Sequence, residues 1–242
     1  MKLIALLSGG LDSTVNLACA VRKSTVALAL TFDYGQKAAR REIEASRFIS
    51  RKYGVGHEVV RLPWLRSICK TSLVARRKPI PQVTPQGLEN VGESKERARA
   101  VWVPNRNAVF INIAAAYAES LGAGKIVAGF NREEARTFPD NSSKFVRAAN
   151  FLLASSTLSS VKVGSYTQDL VKEEIVALGK KIGAPLEAIW FCYLGGLSPC
   201  MKCESCVRAR RAFEKVHLWD WYLKESLYPL GTGGRSTAAG RR

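Results

Sequence analysis

Short apolar runs alternate with amphipathic stretches along the first sixty residues. Residues 3–7 (LIALL) and 25–32 (TVALALTF) are continuous apolar runs of the kind that form strands covered on both faces of a parallel sheet. Residues 12–22 and 37–53 are long enough for helices, and 57–62 (HEVVRL) follows as a third strand. The β-α-β-α-β order predicts an α/β fold built on a doubly wound, mostly parallel, Rossmann-like sheet.

Helical and extended patterns resume after residue 100. One helix face at spacings of 3, 4 and 4 is predicted at Phe110, Ile113, Tyr117 and Leu121. Strands are predicted at 125–130 and 161–165, and Thr167 is the predicted N-cap of the next helix. That helix carries apolar residues at Val171, Ile175, Leu178 and Ile182. A last stripe at helical spacing consists of Phe213, Val216, Trp219, Leu223 and Leu227, which predicts a C-terminal helix.

Composition shifts divide the chain into three regions. Residues 63–100 contain four prolines and the mixed-charge run GESKERAR, which predicts a surface excursion of the kind that often forms a lid or binding loop. We therefore predict an α/β domain over 1–190 that includes this excursion, and a cysteine-containing segment with a helix over 191–228. Residues 229–242 lack large apolar side chains after Leu230, and they are expected to form a flexible basic tail.

The net charge suggests an anionic partner. The 242 residues are 47% hydrophobic, which suits a globular protein with a large core and argues against disorder. There are 37 Lys and Arg against 20 Asp and Glu, so the net charge is 37 − 20 = +17, which favours nucleotide or RNA as a partner. No segment approaches the roughly 18 apolar residues of a membrane span. The run 3–7 is too short for a secretory signal, so we expect a cytoplasmic protein with no membrane partner.

A glycine-rich turn, SGGLDST at 8–14, joins the first predicted strand to the first helix. Consecutive glycines let the backbone approach a ligand, while the free N–H groups and positive dipole end of a helix bind phosphate. The carboxylate of Asp12 would repel phosphate unless a divalent cation lay between them, so Mg²⁺ is expected here. Neither the Walker A nor the GxGxxG pattern is present. The turn therefore predicts a nucleotide-phosphate site of another kind.

Four cysteines lie close together near the C-terminus. They are Cys192, Cys200, Cys203 and Cys206, separated by seven, two and two residues. In a reducing compartment such a cluster indicates a metal site rather than disulfides. Four sulfur ligands leave no open coordination position, which is typical of one structural Zn²⁺, although iron–sulfur ligation remains an alternative. The other two cysteines are expected to be ordinary small apolar residues.

These motifs together resemble a known family. SGGLDST is similar to the pyrophosphate loop of the ATP pyrophosphatase (PP-loop) superfamily. FDYGQ at 32–36, VPNRN at 103–107 and CYLGG at 192–196 leading into PCMKCESC resemble motifs of the 7-cyano-7-deazaguanine synthase family, and the match runs through most of the chain. Residues 131–141 keep only the Pro-Asp of a common bacterial motif, and this stretch resembles an archaeal form.

The resemblance implies an adenine nucleotide alpha hydrolase-like fold and an ATP-dependent carbon–nitrogen ligase. Such enzymes convert 7-carboxy-7-deazaguanine and ammonia, through an adenylated intermediate, to the nitrile precursor of queuosine and archaeosine. It implies catalytic roles for Asp12, Ser13, Arg106 and Lys172. It implies ATP contacts at Leu7, Ser8, Gly9, Gly10, Leu11, Asp12, Ser13, Thr14, Asp33, Gln36 and Asn107. Glu133 and Asp140 are candidates to accept hydrogen bonds from the guanine-like edge.

Two other functions stay open at this point. A PP-loop enzyme of the thiolation or lysidine type would act on tRNA directly, but it would need a nucleophilic cysteine or an iron–sulfur cluster. A zinc-ribbon nucleic-acid-binding module would have no need of SGGLDST. We expect small-molecule substrates and a homodimer, and we do not expect direct RNA binding.

Overall fold

The computed structural model describes residues 1–230, which form a five-stranded parallel sheet covered by helices. The strands are β1 (Lys2–Leu6), β2 (Thr25–Asp33), β3 (His57–Arg61), β4 (Lys125–Val127) and β5 (Lys162–Gly164). Their order in the sheet is β3-β2-β1-β4-β5, and every neighbouring pair is parallel. The predicted doubly wound α/β class is confirmed. The predicted tail beyond residue 230 lies outside the described residues.

Ten α-helices lie in residues 1–230. They are α1 (Leu11–Lys23), α2 (Ala39–Lys52), α3 (Pro63–Ile68), α4 (Val91–Val101), α5 (Arg106–Ser120), α6 (Arg132–Ala135), α7 (Ser143–Ser156), α8 (Lys172–Lys181), α9 (Glu204–Lys215) and α10 (Trp219–Glu225). Within this part of the chain, no helix has the length and apolar character that crossing a membrane requires.

The strand order places a ligand site between β1 and β4. The chain first winds from β1 to β3 in one direction and then crosses to β4 and β5 on the other side of β1. Ligands of open α/β sheets bind at the carboxyl ends of the strands where the order reverses. The turn after β1 is the SGGLDST sequence, so the fold brings the predicted phosphate site to this point.

The core forms where the apolar runs predicted it. Leu3 and Ile4 of the central strand are fully buried, and Trp190, Phe213 and Tyr222 are the bulkiest buried side chains. The last three come from the segment that carries the cysteines and from the helices after it. This segment is therefore packed into the same core cluster as the sheet.

Two helix boundaries differ from the prediction. Thr167 does not cap α8. That helix starts at Lys172, and the N–H of its N-cap residue Val171 donates to the Glu174 carboxylate at 2.8 Å. Thr167 is instead fully buried, and its hydroxyl donates to the carbonyl of Phe130 at 2.6 Å. The hydroxyl of Thr167 is held in the interior, where it also accepts from the Asn16 amide at 2.7 Å.

The C-terminal stripe forms two helices instead of one. The break between α9 and α10 includes His217, whose φ is +57°. The N–H of Leu218 reaches back to the carbonyl of Phe213 at 2.9 Å, which closes α9. Phe213 of α9 and Tyr222 of α10 pack in the same core with ring centroids 4.7 Å apart, whereas Leu223 and Leu227 of the predicted stripe are exposed.

Residues 63–100 pack against the cysteine segment. Arg97 of α4 is buried and forms an ion pair with Glu204 of α9 at 2.9 Å. Gln82 forms an antiparallel bridge with Cys203, and the N–H of Val83 donates to the carbonyl of Lys202 at 3.0 Å. The proline-rich stretch thus packs against the loop that carries Cys200 and Cys203.

Candidate active site and metal centre

The SGGLDST turn forms a cradle of free backbone donors. The hydroxyl of Ser13 accepts from the N–H of Ser8 at 3.2 Å and donates to the carbonyl of Gly10 at 3.2 Å. The N–H groups of Leu11, Asp12 and Ser13 open α1 and have no acceptor among residues 1–230. Unpaired N–H groups at the positive end of a helix dipole form a ready anion site.

Two glycines allow this cradle to form. Gly9 has a φ of +72°, and a Cβ there would lie 2.7 Å from the Cβ of Ala45 on α2. Gly129 follows β4, and a Cβ there would lie 2.7 Å from the backbone nitrogen of Ser13. The sequence interpretation included Gly9 but missed Gly129, whose signal was a glycine just after a short apolar run. The backbone after β4 can therefore approach the start of α1 this closely only because residue 129 has no side chain.

A cluster of buried charges lies beside the cradle. The Lys172 ammonium at the start of α8 donates to the Asp12 carboxylate, and it donates to the Glu134 carboxylate at 2.7 Å. The second carboxylate oxygen of Asp12, Oδ1, is buried and has no hydrogen-bond partner among the described residues. Predicted residues Asp12 and Lys172 are thus brought together, and Glu134 joins them without having been predicted.

Burial and pairing shift the pKa values of these groups in opposite senses. Burial raises the pKa of Asp12 to about 6, although the Lys172 charge pulls it down. Burial opposes the charge of Lys172, but the two carboxylates outweigh burial and raise its pKa. Burial also opposes the charge of Glu134, but Lys172 lowers the pKa of that carboxyl. The cluster therefore holds Lys172 charged and leaves Asp12 as the group that titrates near neutrality.

A second cation of the predicted site, Arg106, lies at the start of α5. Its guanidinium donates to the hydroxyl of Tyr34 at 3.2 Å. The side-chain amide of Asn107 donates to the carbonyl of Asp140 at 3.2 Å. Burial opposes the charge of Arg106, but Tyr34 and Asp140 outweigh it and raise its pKa, while burial raises the pKa of Asp140. The VPNRN motif and the Pro-Asp stretch therefore meet beside the Tyr34 loop.

A cavity of about 290 Å³ connects these groups. Of the predicted site residues, those that line it are Leu7, Ser8, Gly10, Leu11, Asp12, Ser13, Arg106, Asn107, Glu133, Lys172 and the predicted metal ligand Cys192. Aromatic rings from β2, from α5, from loops after the strands and from the region around Cys192 also line it, namely Phe32, Tyr34, Phe110, Phe130, Phe138, Trp190, Phe191 and Tyr193. The cavity thus has a polar floor at the cradle and aromatic walls.

Other predicted residues shape the walls without lining the cavity. The Asp33 carboxylate accepts from the N–H of Gly35 at 3.0 Å, and the Gln36 amide donates to the carbonyl of Phe32 at 2.9 Å. Thr14 is fully buried in α1, and Asp140 lies behind Asn107. Gly9 is packed against α2. These residues fix the loops on which the lining residues stand.

Glu42 was missed by the sequence interpretation. It lies on α2 and lines the cavity, and one of its oxygens accepts from the Gln36 amide at 2.8 Å. Burial raises its pKa. A single acidic residue in the charged stretch ARREIE gives no sequence signal that distinguishes it from a solvated helix position. Arg208 and Glu204 of α9 also line the cavity and form an ion pair at 2.8 Å.

The four cysteines of the C-terminal segment come together as predicted. The Sγ atoms of Cys192, Cys200, Cys203 and Cys206 all lie within 4.8 Å of one another, so the group could hold a metal ion. Backbone N–H groups of Leu194 and Cys200 each donate to the sulfur of Cys192 at 3.3 Å. The N–H of Cys203 donates to the sulfur of Cys200, also at 3.3 Å. Backbone N–H donors favour the thiolate, which is the form that binds metal.

The fold, the phosphate cradle and the carboxylate beside it define an ATP-using enzyme of the PP-loop type. The family model of the Queuosine biosynthesis protein QueC matches residues 2–217, and the chain belongs to this family. Relatives of this chain in several bacteria and archaea carry the name 7-cyano-7-deazaguanine synthase. The protein of Carboxydothermus hydrogenoformans is 57% identical over 211 residues, which cover 87% of this chain and 97% of the relative.

Two further relatives are more distant. The Bdellovibrio bacteriovorus protein is 48% identical over 218 residues, covering 90% of this chain and 94% of the relative. The Methanosarcina mazei protein is 45% identical over 227 residues, covering 93% and 98%. These matches confirm the resemblance that the four motifs indicated. They also favour the ligase over the tRNA-modifying enzyme and the nucleic-acid-binding module.

Proposed function

We propose that this protein converts 7-carboxy-7-deazaguanine to 7-cyano-7-deazaguanine with ATP and ammonia. The observation that carries the proposal is the cradle of three unpaired N–H groups, with Asp12 and Lys172 beside it, in a chain that belongs to the QueC family. A carboxylate is a poor electrophile for ammonia. Adenylation gives it a good leaving group, ammonia then gives the amide, and a second ATP activates the amide oxygen for loss.

The cradle suits the pyrophosphate that leaves in each activation. The free N–H groups of Leu11, Asp12 and Ser13 donate to phosphate oxygens, and the positive end of α1 favours the charge that develops on the leaving group. Lys172 adds a buried cation next to them. Preorganised donors of this kind stabilise developing charge without reorganisation during the reaction, because the fold already holds them in place.

Mg²⁺ fits beside the cradle. The Oδ1 atom of Asp12 is buried without a partner, which is an uncompensated carboxylate oxygen of the type that Mg²⁺ prefers. Asp12 would hold the ion together with phosphate oxygens, and the ion would supply charge neutralisation between the carboxylate and the phosphates. Lys172 holds the other oxygen of Asp12 and so fixes the direction in which Oδ1 points.

Arg106 and Asn107 would contact the nucleotide or the substrate carboxylate. Arg106 is held by Tyr34, and its guanidinium carbon lies 5.9 Å from the centre of that ring. A guanidinium fixed in this way offers its remaining donors to an anionic group in the cavity. Glu133 lines the cavity and could accept from a guanine-like edge, whereas Asp140 supports Asn107 from behind.

One structural Zn²⁺ per chain is part of the proposal. In a tetrahedral site with zinc–sulfur bonds of about 2.3 Å, neighbouring sulfurs lie about 3.8 Å apart. The sulfurs of Cys200 and Cys206 are 3.8 Å apart, and all four lie within 4.8 Å. This spacing suits a single ion, because an iron–sulfur cluster would hold its ligand sulfurs farther apart. The ion would be held by Cys192, Cys200, Cys203 and Cys206.

A homodimer in the cytoplasm completes the proposal. Phe151, Leu152 and Leu158 lie within eight residues of one another on α7 and the turn after it, and their relative exposures are 80%, 49% and 103%. Exposed large apolar side chains so close in sequence support a contact with a second copy. Light scattering of the purified protein would show a mass near twice 26.6 kDa, and a mass near 26.6 kDa would count against the dimer.

The function is tested by incubating the purified protein with ATP, Mg²⁺, ammonium and 7-carboxy-7-deazaguanine. We expect AMP, pyrophosphate and a product with the mass of the nitrile. Asp12→Ala should abolish AMP formation while the fold remains intact, and Asp220→Ala, at an exposed carboxylate of α10, is the matched control. AMP formation with tRNA and a sulfur donor, but not with the acid, would overturn the proposal in favour of thiolation.

A further inference from the structure

A second cavity lies directly behind the charge cluster. Its volume is about 320 Å³, and it is bounded by α4, the α6 region, the start of α8 and α9. Four residues line both this cavity and the active-site cavity, namely Glu133, Thr137, Lys172 and Arg208. The two spaces are thus separated by one layer of side chains, and Lys172 in that layer also contacts Asp12 of the cradle.

The second cavity is basic. Its cationic lining residues outnumber its carboxylates, with Lys95, Lys172, Arg136, Arg208, Arg211 and Lys215 against Glu133 and Glu173. The exposed side chains of Lys95 and Arg136 make no ion pair or hydrogen bond with any residue in the part of the chain that the structure describes. Their charges are therefore available to an anion that enters this space.

The partition between the cavities is made of ion pairs. Arg208 contacts Glu133 at 3.2 Å, and the N–H of Lys172 donates to the other oxygen of Glu133 at 3.0 Å. Lys215 contacts Glu173 at 2.7 Å on the outer side. An anion that leaves the cradle could replace one carboxylate after another as the partner of Lys172, Arg208 and Lys215. A cation of the wall would then face the anion at each position along its path.

We propose that the second cavity is the exit route for inorganic pyrophosphate, with Lys95 and Arg136 as its receiving cations. The inference rests on the proposed function, in which the substrate carboxylate oxygen attacks the α-phosphorus of ATP. The bond from that phosphorus to the bridging oxygen breaks, and pyrophosphate leaves with the electron pair. The nucleotide and the acid occupy the active-site cavity at that moment, so a dianionic or more highly charged product departs past Lys172.

The alternative is that the same cavity admits ammonium to the active site. Ammonium is a cation, and the excess of lysine and arginine in the lining repels it. The two interpretations predict opposite effects of charge removal. Neutralising Lys95 and Arg136 slows the departure of pyrophosphate, whereas in an ammonium channel it would lower the KM for ammonium.

The test compares Lys95→Ala/Arg136→Ala with the wild type and with Arg47→Ala/Lys162→Ala. The control removes two exposed cations that form no ion pair in residues 1–230 and lie away from both cavities. Pyrophosphate binding is measured by calorimetric titration in the absence of ATP and acid. Single-turnover adenylation is followed by rapid quench, and pyrophosphate release is followed with a coupled pyrophosphatase and a phosphate sensor.

We expect the double variant to bind pyrophosphate in the second cavity about tenfold more weakly, a loss of about 1.4 kcal/mol. Pyrophosphate formed at the cradle should leave the double variant about tenfold more slowly, because the receiving cations are gone. Its single-turnover adenylation rate should stay within about twofold of the wild type, because the cradle is untouched. Unchanged pyrophosphate affinity and release, or a lower KM for ammonium, would overturn the exit route. If the acid gives no AMP with wild-type protein, the proposed function fails, while the titration still decides whether these cations bind pyrophosphate.

Discussion

Replacing Lys172 with methionine should destabilise the protein in a strongly pH-dependent way. In the folded chain Lys172 neutralises Asp12 and Glu134, and the three side chains are 11%, 15% and 33% exposed. Methionine keeps most of the aliphatic stem but leaves two carboxylates facing each other. Removing one partner of a buried pair costs about 3–5 kcal/mol, and the lower end applies here because Glu134 is partly exposed. For a domain of this size, about 3 kcal/mol lowers Tm by about 6–12 °C.

The pH dependence follows from the pKa of Asp12. Burial raises that pKa from its ordinary 3.8 to about 6, although Lys172 pulls it down. A raised acid pKa means that the folded state binds the proton more tightly, so this group makes stability fall as pH rises from about 4 through 6. Without Lys172 the pKa of Asp12 rises further. At pH 5 Asp12 of the variant is protonated, so the two carboxyl groups do not repel each other. At pH 8 the pH is far above the ordinary pKa of an aspartate, so either the repulsion or the protonation of Asp12 costs folding free energy.

The assay is thermal unfolding of wild type and Lys172→Met in Mg²⁺-free buffer at pH 5 and pH 8. We expect a Tm difference of about 6–12 °C at pH 8 and less than half of that at pH 5. Lys181→Met is the control, because Lys181 is an exposed residue at the end of the same helix, and it should change Tm by a degree or two at either pH. Equal losses at the two pH values would refute the assignment of the buried charge cluster as the source of the effect.

Two further predictions concern the metal centre and the cradle. Cys203→Ser should lose about one zinc per chain together with solubility, whereas Cys19→Ser should retain the metal. Elemental analysis decides this, and iron with visible absorbance would contradict the zinc assignment. Gly129→Ala would bring a Cβ to 2.7 Å from the nitrogen of Ser13, so adenylation should fall at least about tenfold while the circular dichroism spectrum is kept. Gly56→Ala is the control, because a Cβ there would lie 3.5 Å from its nearest neighbour, a methyl carbon of Leu28. Equal adenylation rates of the two variants would contradict the role of close packing at Gly129.

The sheet was predictable because its strands are continuous apolar runs. Leu3, Ile4 and Ala5 are buried in the central strand, and a five-residue apolar run bounded by a glycine turn is too short for a helix but long enough for a strand. The ends of β4 and β5 were less predictable. Strand pairing stops after Val127, whereas the apolar run continues to Phe130. The last residues of that run leave the sheet because Gly129 packs on the cradle, a tertiary contact that the local pattern does not contain.

The site residues also fall into those that local sequence predicts and those that only tertiary contacts bring together. Asp12 and Ser13 were predictable because the cradle is local in sequence, and the cysteines because CxxC spacing is local too. Glu42 and Glu134 were not, since each acts through a partner brought in by the fold. Gln36 illustrates the intermediate case. Its motif was recognisable, but its amide contacts Glu42 and the carbonyl of Phe32 instead of lining the cavity.

The cysteine cluster is connected to the SGGLDST turn by the hydrogen bonds of Trp190. The carbonyl of Cys192 accepts from the indole N–H of Trp190 at 2.8 Å, and the backbone N–H of Trp190 donates to the carbonyl of Gly9 at 2.8 Å. Trp190 is nearly fully buried, so neither bond can be replaced by water without opening the core. The loop that presents the cysteines and the SGGLDST turn are thus joined through one residue, Trp190. A metal ion held by the four cysteines would therefore also fix the position of Gly9.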